Sequence, residues 1–270
     1  MTIQEFDAVA GRYDSTFTDT ELGRVLRQIV WRNLAAIVQP GARVLELNCG
    51  TGEDAVWLAR NGVRVVATDG SPAMLEVASR KAASHGMHHR IEFEILDLAD
   101  PAWKRPDFDF DGALSDFGGL NCVPDLVPLA CMLGRSVKPG GHLILVVMGR
   151  WCAWEILWHL LHLQPRTAFR RLARPGAGAR VGDGRVRVWY PSLGSLRRIL
   201  APEFELRRFL GLGLLLPPPY LQDVVIRRRG LFRLLKRLER LLAERALVRC
   251  FADHLLLDFE RTTVMPRDSR

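Results

Sequence analysis

The chain has 270 residues, 48% of them hydrophobic and 25% charged, which is enough to bury a full core as one large domain or as a domain with a cap. Its five cysteines are scattered and odd in number, so the composition excludes a disulfide framework and indicates a reducing compartment. No CxxC pair or His/Cys cluster suggests a metal. The first residues lack a signal peptide's basic and apolar regions, and no uncharged run is long enough to span a bilayer, so we expect a cytoplasmic protein.

The formal net charge of +8 is divided unevenly along the chain. Residues 1–150 hold 15 basic and 19 acidic side chains, a net charge of −4, whereas residues 151–270 hold 23 basic and 11 acidic side chains, a net charge of +12. The asymmetry indicates two functional halves, of which the second is better suited to an anionic surface or ligand.

The first predicted elements are a helix, a strand and a tight turn. Residues 22–38 carry apolar side chains at helical spacing, and Pro40 ends that helix. Residues 43–47 have the apolar pattern of a buried parallel strand, and Gly50 and Gly52 supply the turn that follows. A strand, a glycine-rich turn and a helix together present backbone N–H groups to a bound nucleotide.

Two acidic residues follow this turn at once. Glu53 and Asp54 open the next helix, and they would repel a pyrophosphate at short range, which disfavours NAD as the ligand. They suit a ligand that carries positive charge. S-adenosylmethionine, which has a sulfonium and an ammonium group, is such a ligand.

The stretch from Glu46 to Gly52 resembles motif I of the class I S-adenosylmethionine-dependent methyltransferases, of the type that acts on small molecules. One departure is Asn48, where that family usually has glycine. Asparagine tolerates the left-handed backbone region, so the same turn can form with Asn48 in place of glycine. Alternatively, the Asn48 side chain contacts the amino-acid end of the ligand. The alternative for the whole stretch is an α/β turn that binds no ligand.

The resemblance implies a set of cofactor-binding residues along the first half of the chain. Asp69, at the end of the second strand, grips the ribose hydroxyls, and its distance from Gly52 is close to the spacing expected for that role. Tyr13 in an N-terminal helical leader closes over the cofactor, Met74 packs against adenine, and Asp97 accepts from the adenine amino group. For these three the alternatives are an ordinary helix residue, core packing and a solvated acid. The full set is Tyr13, Glu46, Asn48, Gly50, Gly52, Asp69, Gly70, Met74, Asp97, Leu98, Ser115 and Phe117.

Further strands are predicted at 63–68, 91–96, 108–115, 142–148, 204–210 and 250–259, with helices between them. The alternation predicts an α/β fold with a doubly wound, mostly parallel seven-stranded sheet, and helical cap insertions. The resemblance adds a Rossmann-like methyltransferase topology whose last strand is antiparallel. We divide the chain into a cofactor-binding core with its leader (1–149), a lid-like insertion (150–190), and the end of the sheet (191–270), which carries an amphipathic helical insertion at 211–249.

The insertion at 150–190 contains a tryptophan-rich helix and then a flexible glycine hinge at 175–179. This order is typical of a substrate lid, and a helix packed on the flank of the sheet explains the pattern equally well. The proline-stiffened apolar segment 211–220 resembles the acceptor-site wall of methyltransferases that handle lipophilic small molecules. The acceptor-site candidates are Asn121, Trp154, Tyr190 and Tyr220.

The helix predicted at 231–247 has a leucine stripe opposite a row of arginines. Such a helix can lie on an anionic membrane surface, which would place the protein at the inner face of the membrane, or it can cap its own protein with the arginines in water.

The predicted reaction, which the resemblance implies, is displacement of a methyl group from the sulfonium of S-adenosylmethionine by a nucleophile on a lipophilic small-molecule acceptor. Alignment of the two groups and exclusion of water do most of the work, so the sequence assigns no catalytic residue. Candidate bases for a hydroxyl or carbon acid are His159, His162, Tyr190, Tyr220 and His254. One alternative is methylation of RNA through the basic second half, although no appended RNA-binding motif supports nucleic acid as a partner. Another is a homologue that binds the cofactor without catalysis.

Overall fold

The computed structural model describes residues 2–103, 108–173, 175–201, 203–242 and 248–262. Seven strands form one sheet in the order β3-β2-β1-β4-β5-β9-β8, in which β1 to β5 run parallel and β9 is antiparallel to both of its neighbours. This confirms the predicted fold class, including the antiparallel last strand. The strands are β1 (Arg43–Leu47), β2 (Arg64–Asp69), β3 (Ile91–Ile95), β4 (Phe110–Ser115), β5 (Val137–Met148), β6 (Ala177–Val181), β7 (Gly184–Val188), β8 (Phe204–Leu212) and β9 (His254–Arg261).

Each predicted strand of the sheet is present, and the largest difference in boundaries is at β5. This strand begins at Val137 rather than at the predicted His142, because Val137 already pairs with Phe110 before the register of β4 shifts.

The α-helices are α1 (Thr2–Asp7), α2 (Glu21–Ile37), α3 (Glu53–Arg60), α4 (Pro72–Ser84), α5 (Val127–Ser136), α6 (Ala153–Leu161), α7 (Pro165–Ala168), α8 (Leu193–Leu200), α9 (Gln222–Ile226) and α10 (Arg229–Leu242).

Two core layers cover the two faces of the sheet, because successive side chains of each strand point to opposite faces. In β1, Val44 belongs to the layer formed with α2, α3 and α4, whereas Leu45 belongs to the layer formed with α5 and α8. Phe232 of α10 and Trp154 of α6 pack against the first layer. The α10 and α6 segments therefore lie on the same side of the sheet.

Residues 177–179 of the predicted flexible hinge (175–179) lie in a strand, so the prediction is wrong for these three residues. Residues 177–188 form an antiparallel hairpin of β6 and β7, joined by the two-residue loop Gly182–Asp183, with Gly182 at a φ of 57°. A glycine at the first central position of a two-residue loop gives the turn the twist of its strands. The alternation of arginine and valine at 185–188 is the strand signal, and the preceding glycines obscured it.

The α6–α7 insertion is fastened to the sheet by one buried side chain, Arg171. Its guanidinium donates to both the Glu155 carboxylate of α6 and the Asp253 carboxylate, at 2.8 and 2.6 Å. It also donates to the main-chain oxygens of Gly149 and Asp253, each at 3.1 Å. Its Nε–H donates to Glu155 as well, at 3.1 Å, so all five N–H groups of the guanidinium are occupied. These contacts support the alternative of a helix packed on the flank of the sheet over that of a moving lid.

The leucine stripe that the sequence predicts for α10 is largely exposed, and the buried face of the helix is formed by other residues. Phe232 is buried, whereas Leu231, Leu234 and Leu238 are exposed. Glu239 is buried as well, and its carboxylate accepts from the four backbone N–H groups of residues 213–216. The predicted helix extends to 247, and its last residues, 243–247, lie outside the described part of the chain. No helix in the described ranges combines the length and the apolar character needed to cross a bilayer.

Candidate active site

A cavity of about 380 Å³ opens where the chain leaves the carboxyl ends of β1, β2 and β4. The strand order reverses between β1 and β4, and open α/β sheets bind their ligands at such a switch point. Nine of the predicted cofactor residues line this cavity: Tyr13, Asn48, Gly50, Asp69, Gly70, Met74, Asp97, Leu98 and Phe117.

The other three predicted cofactor residues lie behind the wall and shape it. A Cβ at Gly52 would stand 2.8 Å from the Cβ of Ala78 in α4, so glycine lets the turn pack closely against that helix. The Ser115 hydroxyl donates to the side-chain oxygen of Asn48 at 2.6 Å. Glu46 is buried beneath the turn, on the face of β1 that points toward α2 and α3.

Asn48 adopts the left-handed conformation that the sequence allowed, with a φ of 46°. Its amide donates to the main-chain oxygen of Asp116 at 2.8 Å, while its side-chain oxygen accepts from Ser115. The side chain also fills the space beside Gly119, where a Cβ would overlap it. Asn48 therefore ties the turn after β1 to the turn after β4, and it still contributes to the cavity wall.

Asp69 is held in place by the backbone of two turns. One of its oxygens accepts from the Gly50 N–H and the other from the Ser71 N–H, each at 2.9 Å. Burial raises the pKa of Asp69 above its ordinary value, and these two N–H groups oppose that rise. Each carboxylate oxygen keeps an accepting direction for a ligand in the cavity, which fits a pair of vicinal hydroxyls.

A cluster of buried charges forms the floor of the cavity. Arg27 of α2 donates to Asp54 of α3, and a second carboxylate, that of Asp116, lies 3.9 Å from the same guanidinium. The remaining oxygen of Asp54 accepts from the Trp31 indole at 2.6 Å. Glu46 is the third acid of the cluster. Three carboxyl groups thus share one cation.

The imbalance leaves accepting atoms without a partner. One oxygen of Glu46 and one of Asp116 are buried and make no hydrogen bond. Burial and the charge of Asp54 raise the pKa of both carboxyls well above their ordinary values. A cationic group in the cavity would offset the surplus of acids, of which Asp54 and Asp116 line the cavity and Glu46 lies behind it. The residues present therefore fit S-adenosylmethionine, as its positive charge led us to expect.

Arg27 was missed at the sequence level although a signal was present. It falls on the buried stripe of α2 together with Gly23, Val30 and Leu34, at spacings of three and four residues. A charged residue on the apolar stripe of a helix must find a buried partner, so this position marks an ion pair.

The Phe117 ring lies under the same guanidinium at 4.9 Å, with Phe117 itself in a strained left-handed conformation at a φ of 43°.

The raised carboxyl pKa values give the apoprotein a specific pH dependence. The folded state binds protons at Glu46 and Asp116 more tightly than the unfolded chain, whose values are near 4.5 and 3.8. The contribution of these groups to stability is therefore fully present below their unfolded pKa values. It is lost as the pH rises through their folded pKa values. We expect the Asp116→Asn variant to gain stability relative to the wild type as the pH is raised from 5 to 8, as measured by thermal unfolding without cofactor. A stability difference that stays constant with pH would contradict this account.

Two segments from distant parts of the chain cover the cavity. The first is the N-terminal leader, which is held down at Asp7 by the Ser71 hydroxyl (2.5 Å), and at Asp14 by the Thr51 hydroxyl (2.5 Å) and Lys81 (2.8 Å). Tyr13 of this leader lines the cavity, as predicted for a residue that closes over the cofactor.

The second covering segment is the β6–β7 hairpin, whose inward side chains are apolar. Four of them line the cavity: Ala179, Val181, Val186 and Val188. The outward side chains include Arg185 and Arg187, which are exposed. The hairpin and the leader meet at an exposed ion pair of 3.3 Å between Arg12 and Asp183.

The tyrosine and the two cysteines on the cavity wall remain protonated at neutral pH. Burial raises the pKa of Tyr13 to about 12 and that of Cys122 to about 11. Burial likewise raises the pKa of the Cys49 thiol. These groups are therefore unsuited to act as general bases, and Tyr13 is better suited to donate a hydrogen bond.

The four predicted acceptor-site residues are not among the residues that line the cavity. Asn121 is fully buried and binds the backbone, since its amide group contacts the main chain of Met148 and donates to Trp189 O at 2.7 Å. Trp154 packs against the core layer of α2 and α3. The rings of Tyr190 and Tyr220 lie under arginine side chains, those of Arg171 and Arg170. The hairpin valines stand on the cavity wall instead.

The predicted candidate bases also lie off the cavity wall. His159 and His162 bind within the α6 region, to Gln164 and to Trp158 O. His254 is buried behind the wall, with its ring 5.7 Å from that of Phe117. Within the described residues, no group of three or more His, Cys, Asp or Glu side chains is placed to hold a metal.

Comparison with known proteins identifies the family. Residues 44–141 match the methyltransferase domain. The chain is 32% identical over 205 residues to demethylmenaquinone methyltransferase of Mycobacterium sp. (strain KMS), a match that covers 73% of this chain and 82% of that protein. It is 36% identical over 142 residues to the demethylmenaquinone methyltransferase of Clavibacter sepedonicus, which covers 52% of this chain and 55% of that protein.

Solved structures share the fold at lower identity. An S-adenosylmethionine-dependent methyltransferase from Mesorhizobium loti matches with a TM-score of 0.55 and 20% identity, covering 86% of this chain and 97% of that one. The [4+2]-cyclase SpnF matches with a TM-score of 0.65 and 17% identity, covering 97% and 96%. The fold alone therefore does not decide the reaction, and the sequence relatives do. The chain belongs to the class I S-adenosylmethionine-dependent methyltransferases, and it is an enzyme that uses S-adenosylmethionine as its cofactor.

Proposed function

We propose that the enzyme transfers the methyl group of S-adenosylmethionine to a lipophilic small molecule with a quinone-like ring. The observation that carries the proposal is the apolar hairpin on the cavity wall, formed by Ala179, Val181, Val186 and Val188. An apolar wall beside the cofactor site suits an apolar acceptor. The names of the two relatives, demethylmenaquinone methyltransferases, support the same class of acceptor.

The residues of the cavity divide into groups that face different parts of the ligand. We assign Asp69 to the ribose hydroxyls, and Met74, Asp97 and Leu98 to the adenine ring. We assign the charge cluster to the charged methionine end, with Asp54 and Asp116 facing its ammonium and Glu46 behind them. Tyr13 of the leader closes over the cofactor. The accepting oxygen of Asp116 that lacks a partner supports this orientation, because Asp116 lines the cavity.

The protein's contribution to the reaction is mainly positional. When bound, the cofactor supplies an electrophilic methyl group on a sulfonium that is already a good leaving group. The leader and the hairpin exclude water from the cavity, and the valine side chains hold the acceptor without hydrogen bonds of their own. None of the predicted bases lines the cavity. An acceptor that arrives ionised needs no base from the protein.

A panel assay with methyl-labelled cofactor tests the proposal. We expect transfer to reduced quinones and hydrophobic phenols, and little transfer to polar amines and acids. Transfer only to RNA, or binding of the cofactor with no transfer to any acceptor, would overturn it.

The apolar wall makes a prediction for the Val188→Thr variant. A hydroxyl at this buried position has to lose water when an apolar acceptor binds, at a cost of roughly 1 to 3 kcal/mol. We expect the KM for the acceptor to rise about tenfold, while the Kd for S-adenosylmethionine stays within about twofold. Initial-rate kinetics and calorimetry measure the two constants.

The Val137→Thr variant is the matched control for this change. Val137 is equally buried, in the core layer of α5 and α8, and it does not line the cavity. It should lose stability without any change in the KM for the acceptor. Equal effects of the two variants on KM would count against an acceptor site at the hairpin.

The same proposal includes peripheral contact of α10 with the inner face of a membrane, where a lipophilic acceptor concentrates. Within residues 227–239, the exposed ionisable side chains are all cationic, and the single acid, Glu239, is buried. The exposed leucines of α10 lie between these cations. A cationic helix face with exposed leucines suits an anionic bilayer.

We expect the double variant Arg233→Ala, Arg237→Ala to bind anionic vesicles about tenfold more weakly, because each cation near such a surface contributes about 1 kcal/mol. The control is Arg197→Ala, Arg198→Ala on α8, at the other face of the sheet. Sedimentation with vesicles at several salt concentrations measures the effect, and equal binding of both double variants would argue against contact through α10.

A further inference from the structure

The α6–α7 apex, which we define as residues 157–166, exposes apolar side chains to an unusual degree. Leu157 is 61% exposed, Leu161 80% and Leu163 89%. Every residue from 160 to 166 is exposed, and three of the seven are leucine. A single exposed leucine needs no explanation, but a cluster of them marks a surface that another molecule covers.

The apex also holds leucine where a helix end favours glycine. Helix α6 ends in a Schellman motif, in which Gln164 N donates to His159 O at 2.8 Å and Leu163 N donates to Leu160 O at 3.0 Å. The left-handed position of this motif is Leu163, with a φ of 58°. The backbone of Leu163 is therefore strained and its side chain lies in water, and both features are unfavourable for the folded chain alone.

The fold does not need this leucine. The insertion is held by the Arg171 contacts to Glu155, Gly149 and Asp253, all outside the apex. Glycine at position 163 would satisfy the same helix end without strain. The leucine is therefore explained by a surface that binds its side chain.

The charge around the apex indicates what that surface is. From Ile156 to Gly182 the sequence contains five arginines and no acidic residue. Arg166 and His162 are exposed within the apex itself. Exposed leucines in a stretch of sequence whose only charged groups are cationic match the chemistry of an anionic lipid bilayer, in which leucine enters the acyl region and arginine meets the headgroups.

We propose that the α6–α7 apex inserts into an anionic bilayer as an anchor separate from α10. This extends the proposed function, since it gives the membrane contact a second point on the same side of the sheet, where Trp154 and Phe232 pack on one core layer. Two anchors would fix the orientation of the enzyme on the bilayer, which one helix lying along the surface would not do.

The test compares Leu163→Gly with the wild type on vesicles of phosphatidylcholine mixed with phosphatidylglycerol. Glycine removes both the apolar side chain and the backbone strain, so thermal unfolding should shift to higher temperature while vesicle binding weakens. The double variant Leu161→Ser, Leu163→Gly should lower vesicle binding about tenfold. The control is Val127→Ser on α5, an exposed apolar position at the opposite face of the sheet, which should leave vesicle binding unchanged.

The binding measurement uses neither cofactor nor acceptor, so its result does not depend on whether quinone-like molecules are substrates. Failure of the wild type to bind anionic vesicles would overturn the inference, as would equal binding of the wild type and the double variant. Transfer to a short-chain, water-soluble acceptor should be unchanged in the double variant. A loss of that activity would assign the apex to the cavity machinery and would also overturn the inference.

Discussion

Replacing Asp69 by alanine is expected to weaken the binding of S-adenosylmethionine about 100-fold. The carboxylate is oriented by the N–H groups of Gly50 and Ser71, each at 2.9 Å, and keeps one accepting direction on each oxygen for the ribose. Two hydrogen bonds to a charged acceptor contribute together roughly 3 kcal/mol or more, which corresponds to about two powers of ten in Kd. Isothermal titration calorimetry measures the change.

The Asp97→Ala variant is the matched control for this prediction. Asp97 lines the same cavity, but it is exposed and its carboxylate accepts from Ala99 N. A carboxylate that water reaches contributes less to ligand binding than a buried one. We therefore expect the loss of Asp97 to weaken cofactor binding by about tenfold at most. Thermal unfolding of both variants checks that the fold is intact. An Asp69→Ala protein that is folded and binds the cofactor like the wild type would refute the assignment.

Replacing Arg27 by methionine is expected to destabilise the protein by about 3 to 5 kcal/mol and to weaken cofactor binding, because the acids of the cluster lose the cation that positions them. The guanidinium is buried and is the cation shared by Asp54, Asp116 and Glu46. Removing one partner of a buried ion pair leaves the other charge without compensation, which costs far more than the pair itself contributes. Urea denaturation measures the free energy of unfolding.

A double variant separates the two expected effects. Arg27→Met together with Asp54→Asn removes both charges and keeps an acceptor for the Trp31 indole, which now donates to Asp54 at 2.6 Å. Stability should recover by about 2 kcal/mol or more, whereas cofactor binding should stay weak because the charge cluster is incomplete. Recovery of binding together with stability would show that the cluster serves only the fold.

The sequence predicted the parts of the site that depend on chain order. Asn48, Gly50 and Asp69 follow strands whose carboxyl ends meet at one edge of the sheet, so their positions along the chain are enough to bring them together. Asn48 was expected to tolerate the left-handed region, and its φ of 46° confirms this. Local patterns and a known topology predict such residues well.

The acceptor wall could not be predicted in the same way. Trp154 and Tyr190 were proposed because they lie in the predicted lid, and Tyr220 because it ends the apolar segment 211–220, but neither position says which face of the segment meets the cavity. The wall is instead made by small valines of a hairpin that packs back over the sheet from more than 100 residues beyond the turn after β1. Such long-range placement depends on tertiary packing that no local pattern encodes.

The contact between Asn48 and Gly119 has a consequence for how the family varies. The amide of Asn48 occupies the volume that any side chain at 119 would need. Evolution of these two positions is therefore coupled: relatives with asparagine at the first should retain glycine at the second, whereas relatives with glycine at the first are free to carry a larger residue there. A pairwise covariation between two turns more than 70 residues apart would be the trace of one steric exclusion.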